Sequence, residues 1–115
     1  MTVRVYLETT IISMLVARPS RDVLQIAHQR ITSDWWSQRR SSFELHVSEL
    51  VVAEARQGDA DAAARRLALI GEMPVLRITP GARDLATHLL EAAALPAAAL
   101  ADALHIAVAT VHGMD

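Results

Sequence analysis

Three short strand-like segments recur along this chain, and each is followed by two stretches with helical spacing. The strand-like segments are residues 3–7, 43–47 and 74–78. A strand that feeds helices and returns to a parallel strand has few topological solutions, because such crossovers are right-handed and cover both faces of the sheet. The order β-α-α-β-α-α-β-α-α therefore predicts an α/β fold, a three-layer α/β/α arrangement about a parallel sheet. One domain spanning residues 1–115 is expected, without repeats or linkers.

Local chemistry sets the expected boundaries. The first strand ends at Glu8, and Thr9 and Thr10 are expected to cap a helix running to about Arg18. Pro19 breaks that pattern. Ser20 with Asp22 opens a longer amphipathic helix, with Leu24, Ala27, Ile31 and Trp35 on its inward face. Phe43, Leu45 and Val47 share one face of the second strand. Ser48 caps a helix over 49–57 that Gly58 stops, and Asp59 caps an Ala-rich helix with Arg65 and Arg66 on its wet face. Thr79 followed by Pro80 starts a helix that turns Leu85, Leu89 and Leu90 inward. Pro96 opens the last helix, which reaches Gly113.

Composition removes several kinds of chemistry. All 11 basic residues are Arg, and Cys is absent. Without Lys there is no P-loop, no Schiff base and none of the lysine that a phosphotransfer receiver domain needs. Without Cys there is no disulfide framework, thiolate metal site or Cys nucleophile. Tyr6, Trp35, Trp36 and Phe43 are too few aromatics for a base-stacking sheet. A net charge of −2 gives no broad basic footprint for nucleic acid. The start of the chain lacks the pattern of a signal peptide, and the apolar run 92–101 is about half a bilayer span and broken by Pro96. A cytoplasmic protein without membrane contact is expected.

Ligands of open parallel sheets bind beyond the carboxyl ends of the strands. Three acids belong near such a point: Glu8 directly after the first strand, Glu54 in the helix leaving the second, and Asp102 in the last helix. Glu8 suits a helix dipole and a metal equally well. Glu54 shares a helix face with Leu50 and Val51. It is preferred over Glu49, whose first-turn position the dipole already accounts for. Asp102, among Leu100, Ala101, Ala103 and Leu104, is expected to be flanked by core and so to need a partner. Three carboxylates at one rim repel one another unless a cation neutralises them, and such oxygen ligands suit Mg²⁺ or Mn²⁺. The reaction class such a cluster implies is metal-assisted phosphodiester hydrolysis. The five His residues show no metal-site spacing. His105, one turn after Asp102, is either a packed residue or a partner of that carboxylate. Trp35 and Trp36 with Arg39 and Arg40 are read as core packing and a solvated basic end rather than an RNA contact.

The segment Tyr6-Leu7-Glu8-Thr9-Thr10 resembles the opening motif of PIN-domain nucleases. Val47-Ser48 with Ala53-Glu54, and the run from Ala101 to Ala107 led by Asp102, are similar to that family's second and third motifs. Size and the absence of other modules point to VapC-like toxins of bacterial toxin–antitoxin pairs. The resemblance implies a Mg²⁺- or Mn²⁺-dependent endoribonuclease acting on RNA, usually a homodimer, silenced by a cognate antitoxin. Glu8, Glu54 and Asp102 would be its catalytic, metal-holding residues. The alternative is a catalytically inactive PIN-like module for protein interaction or dimerisation, its acids serving as caps and surface charge.

Two departures from the family pattern stand out. Its first acid is more often Asp, one methylene shorter than Glu8. The family also places a fourth strand, followed by another acidic or polar residue, on the far side of strand one. The last strand is therefore expected to be missing here, with Asp115 a poor substitute for that residue. An unpaired edge and weak or no activity follow as expectations. Equal metal-dependent RNA cleavage by this chain and by one carrying a fourth strand would contradict them.

Overall fold

The computed structural model describes residues 2–115. Strand β1 (Val3–Tyr6) leads into α1 (Thr9–Val16) and α2 (Val23–Arg39). Strand β2 (Phe43–Ser48) leads into α3 (Glu49–Ala55) and α4 (Ala60–Ile70). Strand β3 (Val75–Leu76) is followed by α5 (Pro80–Ala92) and α6 (Leu100–Val111). Both pairings are parallel in the order β1-β2-β3, with Val5 opposite Leu45 and Val47 opposite Val75. This is the parallel α/β architecture that the alternation of segments predicts.

Side chains alternate across a strand, and the two faces feed two cores. Leu7 and Val47 pack with Ile12 of α1, Val51 and Ala55 of α3 and Ile70 of α4. On the other side, Ala82 and Ala86 of α5 meet Ala103, Leu104, Ala107 and Val108 of α6, with Leu76 and Ile78 against them. The alanines at this contact let the two helices approach closely. Tyr6 packs against both clusters.

Helix starts follow local chemistry. Asp22, Ser48, Asp59 and Thr79 each accept a hydrogen bond from a first-turn amide, at 2.9–3.2 Å. These bonds satisfy donors that have no partner within the helix. Gly58 follows α3 with φ +82°, a left-handed conformation that glycine adopts without a Cβ penalty.

Four expectations need correction. The cap of α1 is Glu8, whose carboxylate accepts the Thr10 amide at 3.0 Å; Thr9 is already inside the helix. Glu8 keeps extended backbone angles from the strand, and its longer side chain reaches that amide. On α2, Leu24 and Ile31 are 63% and 67% exposed and Ala27 is exposed as well. That helix packs chiefly on α1 and the 3₁₀ turn after it, and only Trp35 and Trp36 near its end reach the core. Pro96 opens a 3₁₀ turn (Ala97–Ala99) rather than α6 itself, and Asp102, in the first turn of α6, is exposed although Ala103 and Leu104 beside it are core. Arg65 and Arg66 are half-buried rather than a wet face. Arg65 donates to the Val16 carbonyl at the end of α1, and Arg66 to those of Ala55 and Gln57 at the end of α3. They satisfy carbonyls that helix ends leave unpaired.

Among the described residues β1 is an edge strand, and its outer side meets only the last residues of the chain. The Asp115 amide donates to the Arg4 carbonyl at 3.0 Å, and the Arg4 amide donates to the Asp115 carboxylate at 2.9 Å. The Arg4 guanidinium also donates to the Gly113 carbonyl. Among the described residues, no helix is long and apolar enough to cross a membrane.

Candidate functional site

Because β1 and β2 are parallel, their carboxyl ends, Tyr6 and Ser48, lie together. Even-numbered residues of β1 point toward α6, which brings the Tyr6 hydroxyl to His105 on the buried face of that helix. A continuous chain of hydrogen bonds runs from there. The Tyr6 hydroxyl lies 2.7 Å from Ser48 Oγ and 2.6 Å from His105 Nδ1. His105 Nε2 lies 2.7 Å from Glu54 Oε1, and the Thr9 hydroxyl donates to the same oxygen at 2.6 Å. Ser48 Oγ in turn accepts the Val51 amide that it caps.

The parts of this chain differ in access to solvent. The His105 side chain is 8% exposed, whereas that of Glu54 is 29% exposed, so the chain begins in the core and ends at the surface. Burial pushes the Tyr6 phenol up to about 12, and the negative charges of Glu54 and Glu8 add to the rise, while the Ser48 hydrogen bond opposes it. A groove of about 560 Å³ runs along the outer side of β1 beneath α6, lined by Tyr6, Glu8, His105, Ile106 and Asp115 among others.

The three acids singled out by sequence fare differently. Glu8 caps α1 and faces the groove, and Glu54 is held by Thr9 and His105. Asp102 stands exposed on α6 one turn before His105, where it makes no hydrogen bond among the described residues. Among the described residues, no three acidic or imidazole side chains stand close enough together to hold a metal ion. Glu49 is used elsewhere: its Oε2 accepts the Ile78 amide at 3.0 Å, tying α3 to the segment after β3. The Asp115 carboxylate is taken up by Arg4. His105 is buried and bonded, to Glu54 and Tyr6 rather than to Asp102. Trp35 stacks on Phe43 with centroids 5.9 Å apart, and the Arg40 guanidinium lies 4.7 Å over the Trp36 ring. Those side chains therefore partner one another.

The Tyr6–His105–Glu54 connection was not read from sequence. The available signal was the position of Tyr6 itself, a tyrosine beside the strand-ending acid, because a buried phenol hydroxyl needs a partner. Spacing along the chain could not supply that partner, which lies far away on the last helix.

Fold and site together define a parallel α/β protein with a polar chain, Ser48–Tyr6–His105–Glu54, beyond the carboxyl ends of its first two strands. The family model described as PIN domain matches residues 5–115, and the chain belongs to the PIN-domain family of nucleases. No curated protein and no solved structure matches it.

Proposed function

We propose that this nuclease is a Mg²⁺- or Mn²⁺-dependent endoribonuclease and the toxin of a type II toxin–antitoxin pair, with Glu8, Glu54 and Asp102 as its cation ligands. One observation carries the reading. Glu8 caps the helix whose first residue, Thr9, holds Glu54, and α6 brings Asp102 within one turn of the histidine that also holds Glu54. The donor chemistry fits a hard divalent cation, since the acids offer only oxygens. Among the described residues, no donor reaches Glu54 Oε2, which leaves that oxygen open.

When bound, the cation would activate water and stabilise charge on the phosphate oxygens. The protein's own contribution is placement. Glu8 at the cap of α1 and Asp102 in the first turn of α6 both sit at helix N-termini, whose dipoles offset part of the repulsion among the acids. Thr9 and His105 orient the Glu54 carboxylate. The uncovered apolar residues Leu24 and Ile31 on α2 support a protein partner, either a second copy or an antitoxin.

Calorimetric Mn²⁺ titration of wild type and Asp102→Asn, alongside RNA cleavage with and without chelator, tests the reading. Wild type is expected to gain about 2.7 kcal/mol of stability at a hundredfold excess of Mn²⁺ over Kd, by mass action alone. Asp102→Asn should lose most of that gain and all chelator-sensitive cleavage. Absence of Mn²⁺ binding in wild type would overturn the proposal.

A further inference from the structure

We infer that Tyr6 and His105 are positioning residues that fix the Glu54 carboxylate through a one-way chain of hydrogen bonds, presenting its second oxygen to the cation. The inference rests on the proposed role of Glu54 and extends it to two side chains that hold no cation themselves.

The direction of the chain follows from what each group can do. An ionised carboxylate only accepts, so His105 Nε2 must carry the proton that bridges to Glu54 Oε1. In a neutral imidazole the other nitrogen is then an acceptor, and Nδ1 receives the Tyr6 hydroxyl proton. The Tyr6 oxygen accepts in turn from the Ser48 hydroxyl, whose own oxygen takes the Val51 amide. Every donor in the series points toward Glu54 Oε1, where the Thr9 hydroxyl adds a second bond. Two donors on one oxygen fix the rotation of the carboxylate and leave Oε2 without a donor among the described residues.

The anchor is rigid where it needs to be. Ser48 is fully buried and its backbone belongs to the central strand, while His105 lies on the buried face of α6. The strand end, the first turn of α3 and α6 are thereby joined to the one acid that stands on α3 facing Thr9. Partners that orient a ligand in this way typically change metal affinity by 10–100-fold when removed. The effect of Tyr6 is the more telling of the two, because its hydroxyl acts on Glu54 only through His105.

The test is Mn²⁺ affinity, read by electron paramagnetic resonance and calorimetry on the full chain. The variants are Tyr6→Phe, His105→Ala, His105→Gln and the double variant Tyr6→Phe/His105→Ala. Val108→Ala serves as a control that weakens the packing of α6 without touching the chain. Tyr6→Phe and His105→Ala should each weaken Mn²⁺ binding about tenfold or more. The double variant should be no weaker than His105→Ala, since both act along one path. His105→Gln, which keeps an N–H donor for Glu54, should recover most of the affinity. Val108→Ala should lower Tm and leave affinity within about twofold of wild type.

Imidazole ¹⁵N shifts give a second readout that needs no metal. They should report the Nε2–H tautomer in both wild type and Tyr6→Phe, with the Nδ1 resonance shifted in Tyr6→Phe because its hydroxyl donor is gone. Affinities of Tyr6→Phe and His105→Ala within twofold of wild type, with Asp102→Asn still impaired, would overturn the tether and leave the cation site standing. Failure of wild type to bind Mn²⁺ would overturn both. Affinity that merely tracks Tm across all variants, the control included, would also overturn the tether.

Discussion

Tyr6 is the single tyrosine of the chain, and with Lys and Cys absent no other side chain has an ordinary pKa between those of His and Arg. Its phenol is pushed up to about 12 from 10.0, chiefly by burial. A raised folded-state value means that the native protein keeps a proton that the unfolded chain gives up. The resulting contribution to stability is therefore complete below pH 10 and is lost as pH rises through about 12. Thermal melts should show Tm falling in that window, together with tyrosinate absorbance, and the Tyr6→Phe variant should lack the fall; a flat Tm through it in wild type would count against the burial argument. His46 carries the opposite kind of strain. Both of its ring nitrogens are buried without a hydrogen-bond partner among the described residues. Leaving such groups unpaired costs about 1–3 kcal/mol. His46→Val, which suits the same central strand, should raise Tm by several degrees in a melt, and a lowered Tm would show that the ring packs better than its unpaired nitrogens suggest.

The elements differ in how much each contributes to the fold. Val51 of α3 is fully buried, and Val51→Ala should cost roughly 2 kcal/mol by lost burial and the cavity left behind. Leu24→Ser and Ile31→Ser on α2 should stay within about 0.5 kcal/mol, because those side chains are already in water. Urea melts of the three variants check the contrast, and a large loss from either α2 substitution would mean that its apolar face is covered in solution. The same contrast marks what was legible in sequence. Strand and helix order was readable from alternation, and the caps at Asp22, Ser48, Asp59 and Thr79 were readable because capping depends on one side chain and an amide two or three residues away. Periodicity also named the apolar face of α2, but no local pattern says whether another element covers that face. The positions of Glu8 after β1 and of Glu54 on α3 were legible from the order of strands and helices. The burial expected for Asp102 failed because it shares the outward face of α6 with Ile106 and Thr110, a face that an almost wholly apolar helix does not mark in sequence. The bonds from Arg65 to α1 and from His105 to Glu54 join residues 49 and 51 positions apart, a range at which composition and spacing carry no information.

At the scale of the whole fold, β1 is an edge of the sheet among the described residues. Leu7 donates to His46, so odd-numbered residues of β1 face β2 and even-numbered ones face outward. Arg4 is the outward residue whose backbone is satisfied, its amide and carbonyl both taken by Asp115. Tyr6 is the next outward residue, and its backbone opens on the groove beneath α6. A sheet edge with free amides and carbonyls templates pairing with another chain. Asp115 shortens that template to less than a strand's length, and the Arg4 guanidinium on the Gly113 carbonyl holds the final residues in place. Asp115→Ala removes the carboxylate that accepts the Arg4 amide and frees that position for another backbone. The interaction is exposed, so the folded state should lose less than about 1 kcal/mol. Self-association, however, depends on how many consecutive backbone positions are open rather than on stability. Sedimentation velocity should therefore show Asp115→Ala associating at lower protein concentration than wild type, while the two melt within a few degrees of each other. Arg4→Ala, which keeps the backbone bonds to Asp115 but loses the guanidinium tie, should fall between them. Identical association by all three chains would mean that the edge is protected by the groove and α6 instead of by the terminal residues.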